Sequence, residues 1–184
     1  WVQRRRRQLR WRRRIGEVVM AWKRILPHLF YPDWWLKKVF KPETLARIEA
    51  AIVESETRHH GEIRFVVEAT RDLMPLLRGE SARDRALEVF GRERVWDTEA
   101  SNGVLIYLLL AERDVEVVAD RGFTGKVEQA EWEAICREME ACFRTGRFEE
   151  GALAGVRRLD ELLARHFPSS GGNPNELENS VKLI

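Results

Sequence analysis

The sequence predicts an α/β fold: a small mixed sheet, made of a parallel strand pair and an antiparallel hairpin, with helices on both faces. The hairpin is the first reason. Residues 104–110 form an apolar run, three charged residues interrupt it, and residues 115–119 follow a strand pattern. The second reason is the predicted order of helix, strand, helix, strand, strand, helix, helix. A strand–helix–strand connection is normally a right-handed parallel crossover, and the hairpin then adds an antiparallel partner.

A helix over residues 42–58 and a strand over residues 63–67 are predicted before the hairpin. The helix has proline at its first position, where the missing N–H costs nothing. Leu45, Ile48 and Ile52 follow at spacings of three and four and define one apolar face. The strand is rich in β-branched residues, and a glycine introduces it.

Three further helices are predicted around the hairpin. Ser81 suits an N-cap and Asp84 occupies the N3 position, which predicts a helix that ends near Gly91. Residues 128–145 have an apolar face and end at a Thr-Gly pair. Residues 148–166 carry leucine and valine at helical spacing, and a stretch with proline and glycine ends this helix.

Length and composition indicate one soluble globular domain. A chain of 184 residues buries a substantial core, and 44% hydrophobic and 34% charged residues fit this class. We divide the chain into a basic extension (1–19), an aromatic and basic segment (20–41), an α/β domain (42–168) and an extended C-terminal tail (169–184). No stretch approaches the length of apolar sequence that a transmembrane helix needs.

The first 19 residues are strongly basic. They contain eight arginines and one glutamate, whereas the whole chain carries a net charge of only +2. We expect that they are an over-extended gene prediction, because Met20 is a sensible start and the purine-rich codons of Gly16-Glu17 could hide a ribosome-binding site. The alternative is a genuine basic arm for anionic lipid or nucleic acid.

The segment 20–41 mixes aromatic and basic side chains, a composition typical of membrane interfaces. Three interpretations stay open: the segment docks onto its own domain, it contacts a membrane surface, or it binds a partner protein. Nucleic acid is not favoured, because the domain that follows is acidic. The candidate contact residues are Trp22, Phe30, Trp34, Trp35, Lys37 and Lys38.

Several oxygen-bearing side chains are predicted at one rim of the sheet. If the first two strands are parallel, their starting ends share that rim, and the antiparallel third strand ends there. Such donors suit a hard cation, Ca²⁺ or Mg²⁺, although solvated loop acids are the alternative. The rim residues are Glu62, Asp97, Glu99, Asn102, Asp120 and Arg121. The opposite rim is a second candidate, with Glu68, Asp72, Glu112 and Asp114.

Four motifs, taken in order and spacing, resemble the TPM domain, a family that includes thylakoid lumen proteins, a photosystem II repair protein and a receptor accessory subunit. The resemblance covers roughly residues 42–168. The stretch Asn173-Pro174-Asn175-Glu176-Leu177 is similar to the ending of single-domain bacterial members. The motifs are Gly61-Glu62-Ile63-Arg64, Asn102-Gly103-Val104-Leu105-Ile106-Tyr107, Asp120-Arg121-Gly122, and Phe143-Arg144-Thr145-Gly146-Arg147-Phe148 followed by Gly151.

The resemblance implies a TPM-domain-like architecture and a metal site, because relatives are associated with calcium binding and some with acid phosphatase activity. Carried over, Asp97, Asn102 and Asp120 would be the oxygen donors, with Glu62 in support. The chain departs from the family where many relatives have an acid soon after the glycine turn and this sequence has Thr124. That departure puts a catalytic metal centre in doubt more than the fold.

Other chemistries have weaker support. Cys136 and Cys142 lie six residues apart on different faces of a predicted helix, which indicates buried thiols in a reducing compartment. Glu56, His59 and His60 suggest a metal group, but the adjacent histidines face different directions and no cysteine or carboxylate spacing completes a zinc site. The sequence has no phosphate-binding glycine loop, serine elbow or dinucleotide fingerprint. We expect a cytoplasmic protein, with a peripheral position at the inner face of the membrane as an extension.

Two functions follow from these observations. The first is a non-catalytic TPM-family binding or accessory module, tuned by a divalent cation and acting near the cell envelope. The second is a metal-assisted phosphatase, in which Asp97 and Asp120 hold the ion and Arg121 or Arg64 binds the phosphate oxygens. The sequence offers no evident nucleophile or general base, so we rank the phosphatase second.

Overall fold

The structure is a computed structural model that describes residue 28, residues 33–169 and residues 175–184. Within these residues it has six α-helices, four strands and one 3₁₀ turn. The helices are α1 (Asp33–Val39), α2 (Pro42–Glu56), α3 (Leu73–Leu77), α4 (Ala82–Arg92), α5 (Gln129–Arg144) and α6 (Phe148–His166). The strands are β1 (Glu62–Glu68), β2 (Gly103–Leu109), β3 (Asp114–Ala119) and β4 (Lys182–Leu183), and the 3₁₀ turn is Arg121–Phe123.

The four strands form one mixed sheet in the order β3-β2-β1-β4. Strands β1 and β2 are parallel and begin in register, with Glu62 opposite Gly103. Strands β2 and β3 form the antiparallel hairpin. The predicted fold class is therefore confirmed, and the starting ends of β1 and β2 share one rim with the end of β3.

Local sequence signals account for the helix boundaries. In the capping box of α4, the Asp84 N–H donates to Ser81 Oγ at 3.1 Å, and the Ser81 N–H donates to the Asp84 carboxylate at 2.8 Å. Two of the N–H donors at the start of this helix are thus satisfied reciprocally. A proline stands at the start of α2, as predicted.

Two apolar cores cover the two faces of the sheet. Helices α2, α5 and α6 pack on one face and α4 packs on the other, because alternate strand residues point to opposite sides. The larger core includes Ile48, Ile52, Ile63, Phe65, Val104, Ile106, Trp132, Met139, Phe143 and Leu159. The smaller core includes Val66, Ala82, Ala86, Val89, Leu105, Tyr107 and Leu177.

The described part of the aromatic and basic segment packs against the domain through α1. Leu36 and Phe40 are buried, and the ring of Trp35 meets that of Phe148 at 5.8 Å in an edge-on contact. Trp34 points outward and is 61% exposed. Helix α1 therefore packs against the domain with one side and exposes Trp34 on the other. Two candidate contact residues, Trp22 and Phe30, lie outside the described residues.

Two elements add to the sequence prediction. A short helix, α3, lies within the connection after β1, and the tail contributes strand β4. The tail pairs with β1 in parallel, with Val66 opposite Lys182, and the Ile184 N–H donates to the Val67 carbonyl at 2.9 Å. A two-residue strand has no sequence signature of its own, because its hydrogen bonds come from a distant partner.

Candidate functional site

The structure brings three of the predicted metal ligands to one rim of the sheet. The Glu62 N–H donates to the Asn102 carbonyl at 3.3 Å. The Asp120 N–H donates to the Gly103 carbonyl at 3.0 Å, which places Asp120 beside the start of β2. The rim therefore results from the parallel register of β1 and β2 and the antiparallel return of β3.

Asn102 is a buried polar side chain, with 1% of its surface exposed. Its amide nitrogen donates to the His60 carbonyl, and its backbone N–H donates to Thr98 Oγ1 at 3.0 Å. Its Oδ1 is also buried, and it accepts no hydrogen bond from the described residues. One oxygen of this side chain is thus left available for another donor or a cation.

Asp120 presents a similar arrangement at the end of β3. Its Oδ1 accepts a hydrogen bond from the Arg121 N–H at 2.7 Å and so caps the 3₁₀ turn. Its Oδ2 is buried and accepts no hydrogen bond from the part of the chain that the structure describes. Arg121 is held in this loop, because its Nε donates to Ser101 Oγ at 3.1 Å.

The other two acids of the predicted cluster lie in the loop before β2, and both are exposed. Asp97 is fixed through its backbone, whose N–H donates to the Arg94 carbonyl at 2.8 Å. The Glu99 backbone N–H donates to the Glu176 carboxylate at 3.0 Å. The loop therefore carries its two carboxylates toward solvent, whereas the Asn102 amide oxygen and one Asp120 carboxylate oxygen are buried.

Residues 176–180 of the C-terminal tail lie across this rim, and residues 182–183 then run along β1 toward its other end. The Leu177 N–H donates to Glu62 Oε2 at 3.2 Å. The Arg64 guanidinium donates to the carbonyls of Glu178 and Ser180 at 2.7 and 2.9 Å. Two of the predicted site residues are thereby committed to holding the tail. Arg64 is itself buried and forms an ion pair with Glu93 at 3.2 Å.

Glu56, at the end of α2, is a member of the site that the sequence suggested only for a disfavoured metal group with His59 and His60. Its Oε1 accepts the Ile63 N–H at 3.3 Å, and its Oε2 accepts the Asn179 amide at 2.7 Å. Burial, followed by the charge of Glu62, raises the pKa of Glu56 to about 7. The signal in the sequence was its position four residues after Ile52, on the apolar face of the helix.

These observations test whether the rim fits a divalent cation. Asn102 Oδ1 and Asp120 Oδ2 have the chemistry of a hard-cation site. Within the described residues, however, no three carboxylate, imidazole or thiol groups converge as a metal-binding group. Two buried oxygens therefore have the chemistry of cation ligands. The Asp97 carboxylate, in the neighbouring loop, is exposed.

The opposite rim is occupied by internal ion pairs. Glu68 is bound by two nitrogens of Arg85, both at 2.8 Å, and also accepts from the Tyr107 hydroxyl. Glu112 contacts His28 at 3.0 Å. Burial and then the charge of a neighbouring glutamate raise the pKa of Asp114 to about 6. Glu68 and Glu112 are therefore engaged with internal partners, whereas Asp114 lies among acidic side chains.

Neither cysteine forms a disulfide within the described residues. Burial raises the pKa of the Cys136 thiol to about 11, so this residue carries little thiolate at neutral pH. Cys142 is partly buried in the packing of the larger core. Both observations agree with thiols that fill space.

A family model for the TPM domain matches residues 36–162 of the chain. The chain belongs to the TPM domain family. It is also similar to a solved structure, the NMR structure of the BA42 protein from the psychrophilic bacterium Bizionia argentinensis, at 27% identity and a TM-score of 0.68. The match covers 77% of this chain and 93% of that one. No curated protein matches the chain.

The TPM domain match contains Glu62, Asp97, Asn102 and Asp120, but it ends before the tail. Glu62 and Glu56 are therefore TPM-domain residues that contact a segment outside the matched region. The TPM domain also includes most of α1, whose apolar side joins the larger core. None of the described helices combines the length and the apolar composition that crossing a membrane requires.

Proposed function

We propose that this TPM domain protein is a non-catalytic binding or accessory module that acts at or near the cell envelope. The observation that carries the proposal is the closure of the rim by the protein's own tail. Arg64 donates to two tail carbonyls and pairs with Glu93, so its guanidinium serves the fold rather than a substrate. Glu62 likewise accepts a tail N–H.

The chemistry of the rim supports the same assignment. Hydrolysis of a phosphate ester needs an activated nucleophile and a means to stabilise the developing charge. The rim offers two amide or carboxylate oxygens and an arginine, Arg121, that is engaged with Ser101. The Cys136 thiol is kept protonated by its raised pKa.

An assay with p-nitrophenyl phosphate tests the non-catalytic assignment against a metal-assisted phosphatase. We expect that added Ca²⁺ or Mg²⁺ produces no turnover above that of an Asp120→Asn variant. Asparagine keeps an oxygen to cap the Arg121 N–H, so the variant retains the fold while losing the charge. Metal-dependent turnover that disappears in a folded Asp120→Asn variant would establish the phosphatase instead.

As part of this module, we propose a weak divalent-cation site at the rim, held by Asn102 Oδ1 and Asp120 Oδ2, with Glu62 and Asp97 nearby. Two buried oxygens that accept no hydrogen bond from described residues support it. Titration of Ca²⁺ or Mg²⁺ followed by amide NMR should give saturable shifts at Asn102 and Asp120. Asp120→Asn should remove them, and Glu99→Gln, an exposed acid of the same loop, should not. A flat titration of the wild-type protein contradicts the cation site alone.

We further propose that the outer face of α1 contacts the anionic inner surface of the membrane. The support is one exposed indole, Trp34, beside the exposed Lys37 and Lys38. Each lysine near an anionic surface contributes about 1 kcal/mol, roughly fivefold in partitioning. The partition coefficient onto phosphatidylglycerol vesicles, measured by sedimentation, should therefore fall by more than tenfold in the Lys37→Glu/Lys38→Glu variant. Equal sedimentation of this variant and the wild-type protein would reject membrane contact.

A further inference from the structure

A groove runs between α1, the start of α2 and the start of α6. Its first part is a depression of about 750 Å³. The apolar part of its lining is Trp35, Val39, Phe148 and Leu153. The charged part of its lining comprises five basic and two acidic side chains, which are Lys38, Lys41, Arg47, Arg147, Arg157, Glu149 and Glu150.

Both acids of the first depression are already neutralised. Arg47 pairs with Glu149 at 2.7 Å, and Arg147 pairs with Glu150 at 2.8 Å. The other three cations, Lys38, Lys41 and Arg157, form no ion pair with a described residue, and all three are exposed. The groove therefore presents three positive charges above an apolar lining.

The groove continues along the contact between α2 and α6. A second depression of about 390 Å³ shares Leu153 and Arg157 with the first. Its apolar lining adds Ala51 and Val156. Its charged side chains are Glu54, Asp160, Glu161, Arg58 and Arg157. Asp160 pairs with Arg58 and Glu161 pairs with Arg158, both at 2.6 Å, so the excess of positive charge does not continue along the groove.

We propose that this groove, lined by α1, α2 and α6, docks an acidic amphipathic segment of a protein partner. The proposal rests on the proposed function as a binding module and names the chemistry of what it binds. Acidic side chains of the segment sit over Lys38, Lys41 and Arg157, and its apolar face covers Val39 and Leu153. The segment's other end, over the second depression, is neutral.

The shape of the groove favours a peptide over a bilayer. A flat membrane surface contacts only the cations at the edges of the groove, whereas a helix packs its apolar face against the apolar side chains between them. Helix α2 has 15 residues, which span about 22 Å at 1.5 Å per residue. A helical segment of about 15 residues therefore matches the length of the groove.

A library of displayed linear peptides, each about 15 residues long, provides the probe. Peptides are selected on the wild-type protein and counter-selected on Lys41→Glu/Arg157→Glu. Individual peptides are then measured by fluorescence polarisation on both proteins. Arg78→Glu/Arg137→Glu is the matched control, because it reverses two exposed arginines outside the groove. Thermal unfolding of each variant verifies that the fold persists.

The expected result is a set of peptides with acidic residues near one end and apolar residues at helical spacing. Their affinity should fall at least about tenfold, or roughly 1.4 kcal/mol, on the groove variant and stay unchanged on the control. Absence of groove-dependent peptides overturns the proposal. Groove-dependent peptides without acidic bias also overturn it, as does binding of anionic vesicles, but of no peptide, through Lys41 and Arg157. The phosphatase and cation assays use other residues, so failure here leaves the non-catalytic assignment standing.

Discussion

Replacing Glu56 by glutamine is expected to stabilise the protein at alkaline pH and to remove part of its pH dependence. Glu56 is 8% exposed, and it lies at the end of α2 beneath the tail. Burial and the nearby charge of Glu62 favour the protonated carboxyl and raise its pKa to about 7, from an ordinary value of 4.5. The folded state therefore opposes ionisation of this group.

The size of the effect follows from that pKa. One pKa unit corresponds to 1.36 kcal/mol. The rise in the Glu56 pKa from 4.5 in the unfolded chain to about 7 in the folded protein therefore changes the free energy of unfolding by up to about 3 kcal/mol between low and high pH. The unfolded chain releases the Glu56 proton near pH 4.5, whereas the folded protein retains it until about pH 7. This contribution to the free energy of unfolding is complete below pH 4.5 and is lost progressively as pH rises to about 7.

Glutamine preserves most of the local contacts. Its amide oxygen still accepts the Ile63 N–H, and its amide nitrogen faces Asn179. The Asn179 amide then rotates so that its Oδ1, which accepts no hydrogen bond from the described residues, receives the new donor. The substitution thus changes the ionisation of the site with little change in packing.

Urea unfolding between about pH 5 and about pH 8 measures the effect. Over this interval the free energy of unfolding of the wild-type protein should fall by about 2.5 kcal/mol more than that of Glu56→Gln. Glu49→Gln, an exposed residue of the same helix, is the control and should follow the wild-type curve. Parallel curves for Glu56→Gln and the wild-type protein would show that Glu56 ionises normally and would refute the reasoning. Comparison of variants cancels the opposite contribution of His59, whose pKa burial lowers to about 4.

Three further outcomes are expected. Gly103→Ala places a methyl group 1.9 Å from a main-chain oxygen and should lower the free energy of unfolding by at least about 3 kcal/mol. Gly91→Ala places its methyl group in open space on a helix and should raise the free energy of unfolding by up to about 1 kcal/mol. Thermal unfolding measures both effects. Tyr107→Phe removes the hydroxyl that donates to a buried carboxylate and should cost about 1–2 kcal/mol in urea unfolding; no loss would show that the bond is unimportant. Arg64→Met should accelerate hydrogen exchange across residues 175–184 and cost about 3 kcal/mol, and unchanged exchange would contradict its role in holding the tail.

Local patterns in the sequence predicted most of the fold because local physics decides those elements. The capping box at Ser81 and Asp84 needs only three residues of separation, and the structure contains both of its hydrogen bonds. The hairpin follows from an apolar run and a short turn, and its strands pair as predicted. Strand β4 was not predicted, because its partner β1 lies more than a hundred residues away.

The candidate site was predictable in its location and not in its internal contacts. Parallel pairing of β1 and β2, together with the antiparallel return of β3, was sufficient to bring Glu62, Asn102 and Asp120 to one rim. The burial of particular oxygens depends on which distant groups approach them. Glu62 and Arg64 bind the tail through hydrogen bonds, and residue spacing in the sequence does not predict these contacts.

The sequence by itself determined the α/β class, the TPM family membership and the rim on which the candidate residues meet. These properties depend on hydrophobic period, caps, turns and strand order, which act over a few residues or through simple topology. Only the tertiary structure decided the raised pKa of Glu56, the closure of the rim by the tail and the basic groove of α1, α2 and α6. Desolvation, ion pairing and concave shape arise from groups distant in sequence, so they exist only after the chain has packed.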